Sequence, residues 1–377
     1  MTATNWRPIG QQDTQNGKSG KMNLQSVYQN KKVFVTGHTG FKGSWLITWL
    51  HSMGAHVKGY ALAPQDENDL YNSINGDSLC QSMIADIRDK EGLKKELLSF
   101  APDFVFHLAA QPLVRYSYEA PIETFDVNVM GTAHLLDAIR FLEKPCVVVI
   151  ITTDKVYHNK EEDYFYKEDD KLGGYDPYSA SKAAAEIVID SYRSSFFNPK
   201  EYNKHQKSIS SARAGNVIGG GDWARDRIVP DVIRALLKGE TITVRNPSAV
   251  RPWEHVLEPL HGYLVLAACQ ANEPVKYASG YNFGPRMNET LSVGGLVKEA
   301  LAVWGEGKFE TPLQNGAPHE ANLLQLDITK AEIELGWTPS FTVHEAIRYT
   351  VEWYKQFHGQ KDTAYNLMMN DIKKIHP

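Results

Sequence analysis

Cysteine is scarce in this 377-residue chain: Cys80, Cys146 and Cys269 stand far apart, odd in number and without a C-x-x-C pair. That excludes a disulfide framework and a thiolate metal site, so no metal is expected, and a reducing cytoplasm is the expected setting. No stretch approaches the roughly 18 uninterrupted apolar residues of a membrane span. The first thirty residues, rich in Asn, Gln, Thr, Ser, Gly and Lys, lack the apolar segment of a secretory leader. Charge of one sign is missing as well. The 40 Lys+Arg and 45 Asp+Glu leave a net charge of -5 with no long basic run, which removes any broad attraction to nucleic acid or to an anionic membrane. A phosphate group bound by this chain has to meet a local site. Internal repeats are absent, and the one biased tract, Glu161 to Asp170, reads as a solvated acidic loop.

What is present is a hydrophobic content of 42%, arranged from Lys32 onward as short apolar runs alternating with longer segments of helical period. This is the pattern of an α/β fold, a doubly wound parallel sheet of Rossmann type with helices on both faces. Strands are expected at 32–35, 55–60, 81–85, 104–108, 147–152 and 209–214, and helices at 43–53, 90–100, 122–142 and 178–196. After residue 215 Gly and Pro punctuate shorter elements, which predicts a smaller, mixed α/β substrate-binding domain. The expected division is a disordered extension at 1–24, a dinucleotide domain at 25–215 with a returning segment at about 254–285, a substrate domain at 216–253 and 286–357, and a tail at 358–377.

The apolar run ending in Thr36 passes into Gly37-His38-Thr39-Gly40-Phe41-Lys42-Gly43 and then into a helical run beginning Ser44-Trp45-Leu46. Glycines at such a strand-to-helix turn let the backbone approach a pyrophosphate, and the helix N-terminus offers it free N–H groups and the positive end of a dipole. The second strand ends Lys58-Gly59-Tyr60-Ala61-Leu62. It has no acid for ribose hydroxyls and no Arg for a 2′-phosphate, so NAD and NADP are not separated there. Asp86, with Ile87 beside it, has two readings: acceptor for an adenine amino group, or cap for the helix starting at Lys90.

Two further groups carry the chemistry. Tyr178 and Lys182, four apart at the start of a helix, project from one face. A nearby ammonium and a nicotinium charge favour phenolate, which brings a phenol of ordinary pKa near 10 toward use as a general base on a sugar or alcohol hydroxyl. Thr153, Asp154 and Lys155 end the fifth apolar strand and set a hydroxyl, a carboxylate and an amine at the sheet's C-terminal edge, where doubly wound folds bind ligands.

These motifs, together with His107-Leu108-Ala109-Ala110-Gln111 and Asn128 in Asn128-Val129-Met130-Gly131-Thr132, resemble the extended short-chain dehydrogenase/reductase (NAD-dependent epimerase/dehydratase) family over about residues 31–355. Thr153-Asp154-Lys155 is similar to the version carried by its nucleotide-sugar 4,6-dehydratases. His38, Lys42 and Lys155, with Gln111-Pro112-Leu113-Val114-Arg115, Arg213 to Trp223 and Arg251 to Val256, point to the branch acting on CDP-linked glucose. The resemblance implies NAD held by Gly37, His38, Thr39, Gly40, Phe41, Lys42, Gly43, Asp86, Ile87, Leu108, Ala109, Ala110 and Asn128 together with Tyr178 and Lys182. It implies catalysis by Thr153, Asp154, Lys155, Tyr178 and Lys182. Gln111, Arg115, Asn216, Arg227 and Arg251 are the implied substrate contacts, with Trp223 and Trp253 lining the same cleft, and the implied assembly is a homodimer or a tetramer. An epimerase or reductase on the same fold would share the glycine loop and Tyr178-Lys182 without Asp154 and Lys155. A non-catalytic NAD-binding regulator would need none of the five.

Overall fold

The computed structural model of the chain describes residues 22–287, 289–311 and 323–375. The expected extension lies outside these residues up to position 21. From Asn23 the chain is already folded, with helix α1 (Leu24–Tyr28) capped by the Asn23 side chain on the Ser26 N–H and burying Leu24 and Tyr28.

Seven parallel strands form the central sheet: β1 (Lys32–Thr36), β2 (His56–Ala61), β3 (Gln81–Ile84), β4 (Phe104–His107), β5 (Cys146–Ile151), β6 (Lys207–Ala214) and β7 (Gly280–Phe283), in the order β7-β6-β5-β4-β1-β2-β3. The order reverses between β1 and β4, which opens a crevice at the carboxyl ends of the strands. β5 and β6 are buried along their whole length, as befits strands covered on both faces. The six expected strands are all found within one or two residues of their predicted ends. The seventh, Gly-Tyr-Asn-Phe, gave no sequence signal because it is short and non-periodic.

Helices α2 (Phe41–Ser52), α3 (Lys90–Phe100), α4 (Pro121–Phe125), α5 (Gly131–Ile139), α6 (Pro177–Ser195) and α7 (Leu257–Asn272) cover the sheet. One cluster, with Phe34, Leu93, Leu97, Leu135, Leu136 and Ile189, fills one face. A larger one, with Trp45, Trp49, Leu260, Tyr263 and Trp353, fills the other and runs on into the smaller lobe. The helix expected at 122–142 is not continuous. A π-helical segment, Asp126–Met130, separates α4 from α5, and its extra residue turns Asn128 inward. Beyond β6 the small lobe is built from two-stranded pairs, among them Asn216–Ile218 with Trp253–His255 and Val250–Arg251 with Leu291–Ser292. Helix α8 (Val343–His358) opens with a Thr342–Glu345 capping box, and α9 (Ala364–Ile375) buries Leu367, Met368 and Ile372. Among the described residues no helix is long and apolar enough to cross a membrane.

Candidate active site

The glycine loop joins β1 to α2 at the crevice. Gly37 has φ +73°, a left-handed conformation that favours glycine, and a Cβ on it would meet the Ala109 N at 2.7 Å. A Cβ on Gly43 would lie 2.1 Å from the Gly37 carbonyl oxygen, so Gly43 lets the helix close on the loop. Among the described residues only the Gly37 carbonyl, at 3.5 Å, approaches a Cβ on Gly40, the residue that caps α2. Gly40 has no side chain to cap α2 and the first turn has no acid, which leaves that end polarised for an anion. These features fit a dinucleotide's pyrophosphate. Opposite, the loop after β4 is fixed by a chain of hydrogen bonds. The Ala109 N–H donates to Thr36 Oγ1 at 3.2 Å, which bonds His107 Nδ1 at 2.7 Å. His107 Nε2 meets Thr132 Oγ1 at 3.1 Å, and Thr132 donates to the Asn128 carbonyl at 2.8 Å. With Thr132 donating onward, His107 is neutral and protonated on Nε2, and burial lowers its pKa to about 3.

Several residues expected to touch ligands also make contacts within this framework. Asn128 Oδ1 accepts from the Gln111 N–H at 2.8 Å, while Nδ2 donates to the Gln111 carbonyl and to Ser181 Oγ. The Gln111 amide donates to Thr124 Oγ1 at 2.8 Å and to the Leu113 carbonyl. His38 fits over Gly59, with Nε2 at 2.8 Å from Ser82 Oγ, and burial draws its pKa down to about 4. Trp253 is buried and donates Nε1–H to the Leu291 carbonyl, so it packs within the small lobe rather than lining the cleft. Trp223 stands edge-on to Tyr354 and His358. Asp86 is gripped by Arg88, with a 2.6 Å ion pair. Asp89 caps α3 through the Gly92 N–H, which removes the capping alternative for Asp86. Ile87 packs under Gly131. Thr39 holds the Leu62 carbonyl at the β2 tip, and Phe41 reaches toward Gly219.

The catalytic candidates converge from two elements. Thr153 to Lys155 follow β5, and Thr153 Oγ1 donates to Asp154 Oδ1 at 2.8 Å. Lys155 Nζ stands 3.5 Å from that oxygen. Asp154 is 1% exposed, and its Oδ2, facing Gly215, has no hydrogen-bond partner among the described residues. Asp176 caps α6 through the Ser179 N–H and so places Tyr178 in its first turn. Burial pushes the Tyr178 phenol up to about 12, while hydrogen bonding to Thr153 and the Arg227 charge draw it back. Lys182 Nζ donates to the Ile151 carbonyl at 3.2 Å. Burial, and then Lys42, bring its pKa down to about 8, against the pull of Glu186. Lys42 is likewise lowered to about 8 by burial, with Glu254, Arg227, Asp154 and Asp222 around it.

From the smaller lobe come Asn216, two residues past the end of β6, and Arg227, which pairs with Asp222 at 3.0 Å and whose charge reaches Tyr178 and Lys42. Arg115 lies 3.5 Å from Asp226, which also holds Arg245 at 2.9 Å. Arg251 Nη1 donates to the Val250 carbonyl. The sequence reading missed Glu254, buried with both carboxyl oxygens unpartnered among the described residues and its pKa raised by burial. It also missed Glu186, although the spacing Tyr178, Lys182, Glu186 put all three on one helical face. Among the described residues no cluster of His, Cys, Asp or Glu could hold a metal ion.

The family model described as GDP-mannose 4,6 dehydratase matches residues 34–350. The chain belongs to this dehydratase family. It is 48% identical over 331 residues to the CDP-glucose 4,6-dehydratase of Salmonella typhimurium, covering 88% of this chain and 92% of that protein. Its fold matches DesIV, the dTDP-glucose 4,6-dehydratase of Streptomyces venezuelae crystallised with NAD bound, at a TM-score of 0.74 and 24% identity over 87% of this chain and 98% of that one. The UDP-glucose 4-epimerase of Thermus thermophilus in complex with NAD matches at 0.71 and 26% identity, over 86% and 99%. The dehydratase family thus shares its framework with epimerases.

Proposed function

We propose that the chain is a CDP-glucose 4,6-dehydratase, which converts CDP-glucose to CDP-4-keto-6-deoxyglucose and water with tightly held NAD. The observation that carries this reading is Thr153-Asp154-Lys155 set against Tyr178 and Lys182, with one oxygen of Asp154 left without a partner among the described residues. The 48% identity supports the cytidine nucleotide. When bound, NAD supplies a hydride acceptor for the sugar C4 and returns the hydride to C6.

The glycine loop from Gly37 to Gly43 and the Leu108-Ala109-Ala110 loop would hold the cofactor, Asp86 and Ile87 its adenine. Tyr178 takes the C4 hydroxyl proton, with Thr153 holding that oxygen. Its phenol at about 12 needs cationic surroundings: the Arg227 charge supplies part of them, and Lys182, one turn along the helix, and a nicotinium would add to them. A ketone at C4 acidifies the C5 hydrogen, which Lys155 removes and the C5 position later regains. Asp154 delivers a proton to the departing C6 hydroxyl. The proton taken at C4 and the hydroxide lost at C6 make up the water, so the reaction is redox-neutral. Asn216, Arg227 and Arg251 suit the substrate's pyrophosphate, since guanidinium groups match phosphate geometry, and Arg115 and Gln111 would add contacts from the loop after β4.

β7 returns to the main sheet after the small lobe begins, which supports a dinucleotide domain at 25–215 plus 254–285 and a substrate domain at 216–253 and 286–357. The second copy of a homodimer would cover Ile122, Phe125 and Met130 with Ile187 of α6, exposed apolar side chains on helices that pack together. Three free cysteines support a cytoplasmic setting.

The test is incubation with NAD+ and CDP-, dTDP- or GDP-linked glucose, followed by the alkali-induced ultraviolet absorbance of a 4-keto-6-deoxy sugar. The expected result is strongest turnover with CDP-glucose. A 4-epimer instead, or no product, defeats the reading.

A further inference from the structure

Behind the site runs a buried polar chain for which the steps above have no use. Glu186 lies on α6 one turn beyond Lys182 and is 3% exposed. Its Oε1 accepts from Thr152 Oγ1 at 2.5 Å and Arg213 Nε at 3.0 Å; its Oε2 accepts from Ser211 Oγ at 2.8 Å and Arg213 Nη2 at 3.0 Å. Arg213, on β6, carries the chain outward. Nη1 donates to Tyr157 Oη at 2.8 Å and to the Glu168 carbonyl at 2.9 Å, and Tyr157 donates to Asn282 Oδ1 of β7 at 2.7 Å.

Thr152 immediately precedes Thr153, and Tyr157 follows Lys155 by two residues. One carboxylate–guanidinium pair therefore holds the Thr153–Lys155 segment at both ends and roots it on the helix that carries Tyr178 and Lys182. An apolar pair of the same volume could hold these elements as firmly, since a buried ion pair adds little net stability. What the ions add is direction, through bidentate geometry, and charge. The charge matters at Lys182. Facing that ammonium are Lys42 from α2, the neutral His107 from β4, the Ile151 carbonyl from β5, and Glu186 on its own helix. Glu186 is the one anionic group among them, and it supports the charge against burial.

We propose that Glu186, clamped by Arg213, is a positioning residue for the dehydration: it registers the Thr153–Lys155 segment against Tyr178 and sustains the positive charge of Lys182. This rests on the dehydratase reading. The test compares wild type, Glu186→Gln and Thr152→Val with NAD+ and CDP-glucose from acid to alkaline pH. Glu186→Gln removes the charge at constant shape and leaves Arg213 unneutralised, so Lys182 gives up its proton earlier. The basic limb of kcat then moves to lower pH by about one unit, and kcat near neutrality falls about 10- to 100-fold with KM within about threefold. Thr152→Val loosens the register alone and lowers kcat severalfold without moving the limb.

A Glu186→Gln profile that superimposes on wild type, or a loss confined to KM, overturns the proposal. If Glu186→Gln does not fold by circular dichroism, Thr152→Val decides, and an unchanged kcat overturns it. Wild type that forms no 4-keto-6-deoxy sugar defeats the functional reading itself, whereas active wild type with unmoved variants defeats only the role of Glu186.

Discussion

At the scale of single residues, the framework and the catalytic groups differ in how their polar atoms are satisfied. Asn128, Gln111 and His107 are satisfied within the framework, whereas Asp154 Oδ2 is buried without a partner among the described residues, and such an atom calls for an explanation. Proton delivery is one. Removing the phenolic oxygen isolates the other end of the reaction. Tyr178→Phe is expected to lower kcat by about 100- to 10,000-fold while leaving NAD affinity, read by fluorescence titration, close to wild type. Retention of most of the activity would show that another group takes the C4 proton. The five catalytic candidates were legible because each motif sat at a strand end or in a first helical turn. Glu186 and Arg213 were not, because nothing local marks a carboxylate on α6 as the partner of a guanidinium on β6, 27 residues on in the chain.

Elements show the same division. Helix α3 appears at its predicted limits and the first six strands lie close to theirs, since periodicity and caps are local properties. The break at Asp126–Met130 escaped because its sequence is helix-compatible throughout. What selects the π-helical turn is the fit of Asn128 to the Gln111 backbone and to Ser181, a tertiary cause. The glycine loop lends itself to a graded test. Gly43→Ala forces a methyl against the Gly37 carbonyl, whereas Gly40→Ala meets its nearest neighbour at 3.5 Å. Gly43→Ala should therefore cost about 1–3 kcal/mol of stability and weaken NAD binding by about tenfold or more, with Gly40→Ala markedly milder in thermal unfolding. Equal unfolding temperatures for the two would contradict the close packing of α2 on the loop.

For the whole molecule, three buried neutral histidines predict acid sensitivity. Burial lowers His107 and His255 to about 3 and His38 to about 4. Between these values and the ordinary 6.5 the unfolded chain binds protons that the folded one does not, so stability is full above about pH 6.5 and falls as the pH drops. Each site loses about 2 kcal/mol by about pH 5. Urea midpoints should fall steeply over that range, and a flat profile would sink the assignment. Assembly is tested separately. Ile187 is 60% and Ile122 73% exposed, and Ile187→Glu is expected to turn a dimer into a monomer in sedimentation velocity, whereas an unchanged dimer would place the interface elsewhere.

The central claim is that an oxidation begun at C4 is undone at C6 after water leaves. It is tested most directly by supplying CDP-glucose carrying deuterium at C4 and following the label by NMR. The label is predicted in the C6 methyl group of a 4-keto product, with solvent hydrogen at C5. Deuterium found at C4 of an epimerised sugar, or lost to solvent, would contradict it.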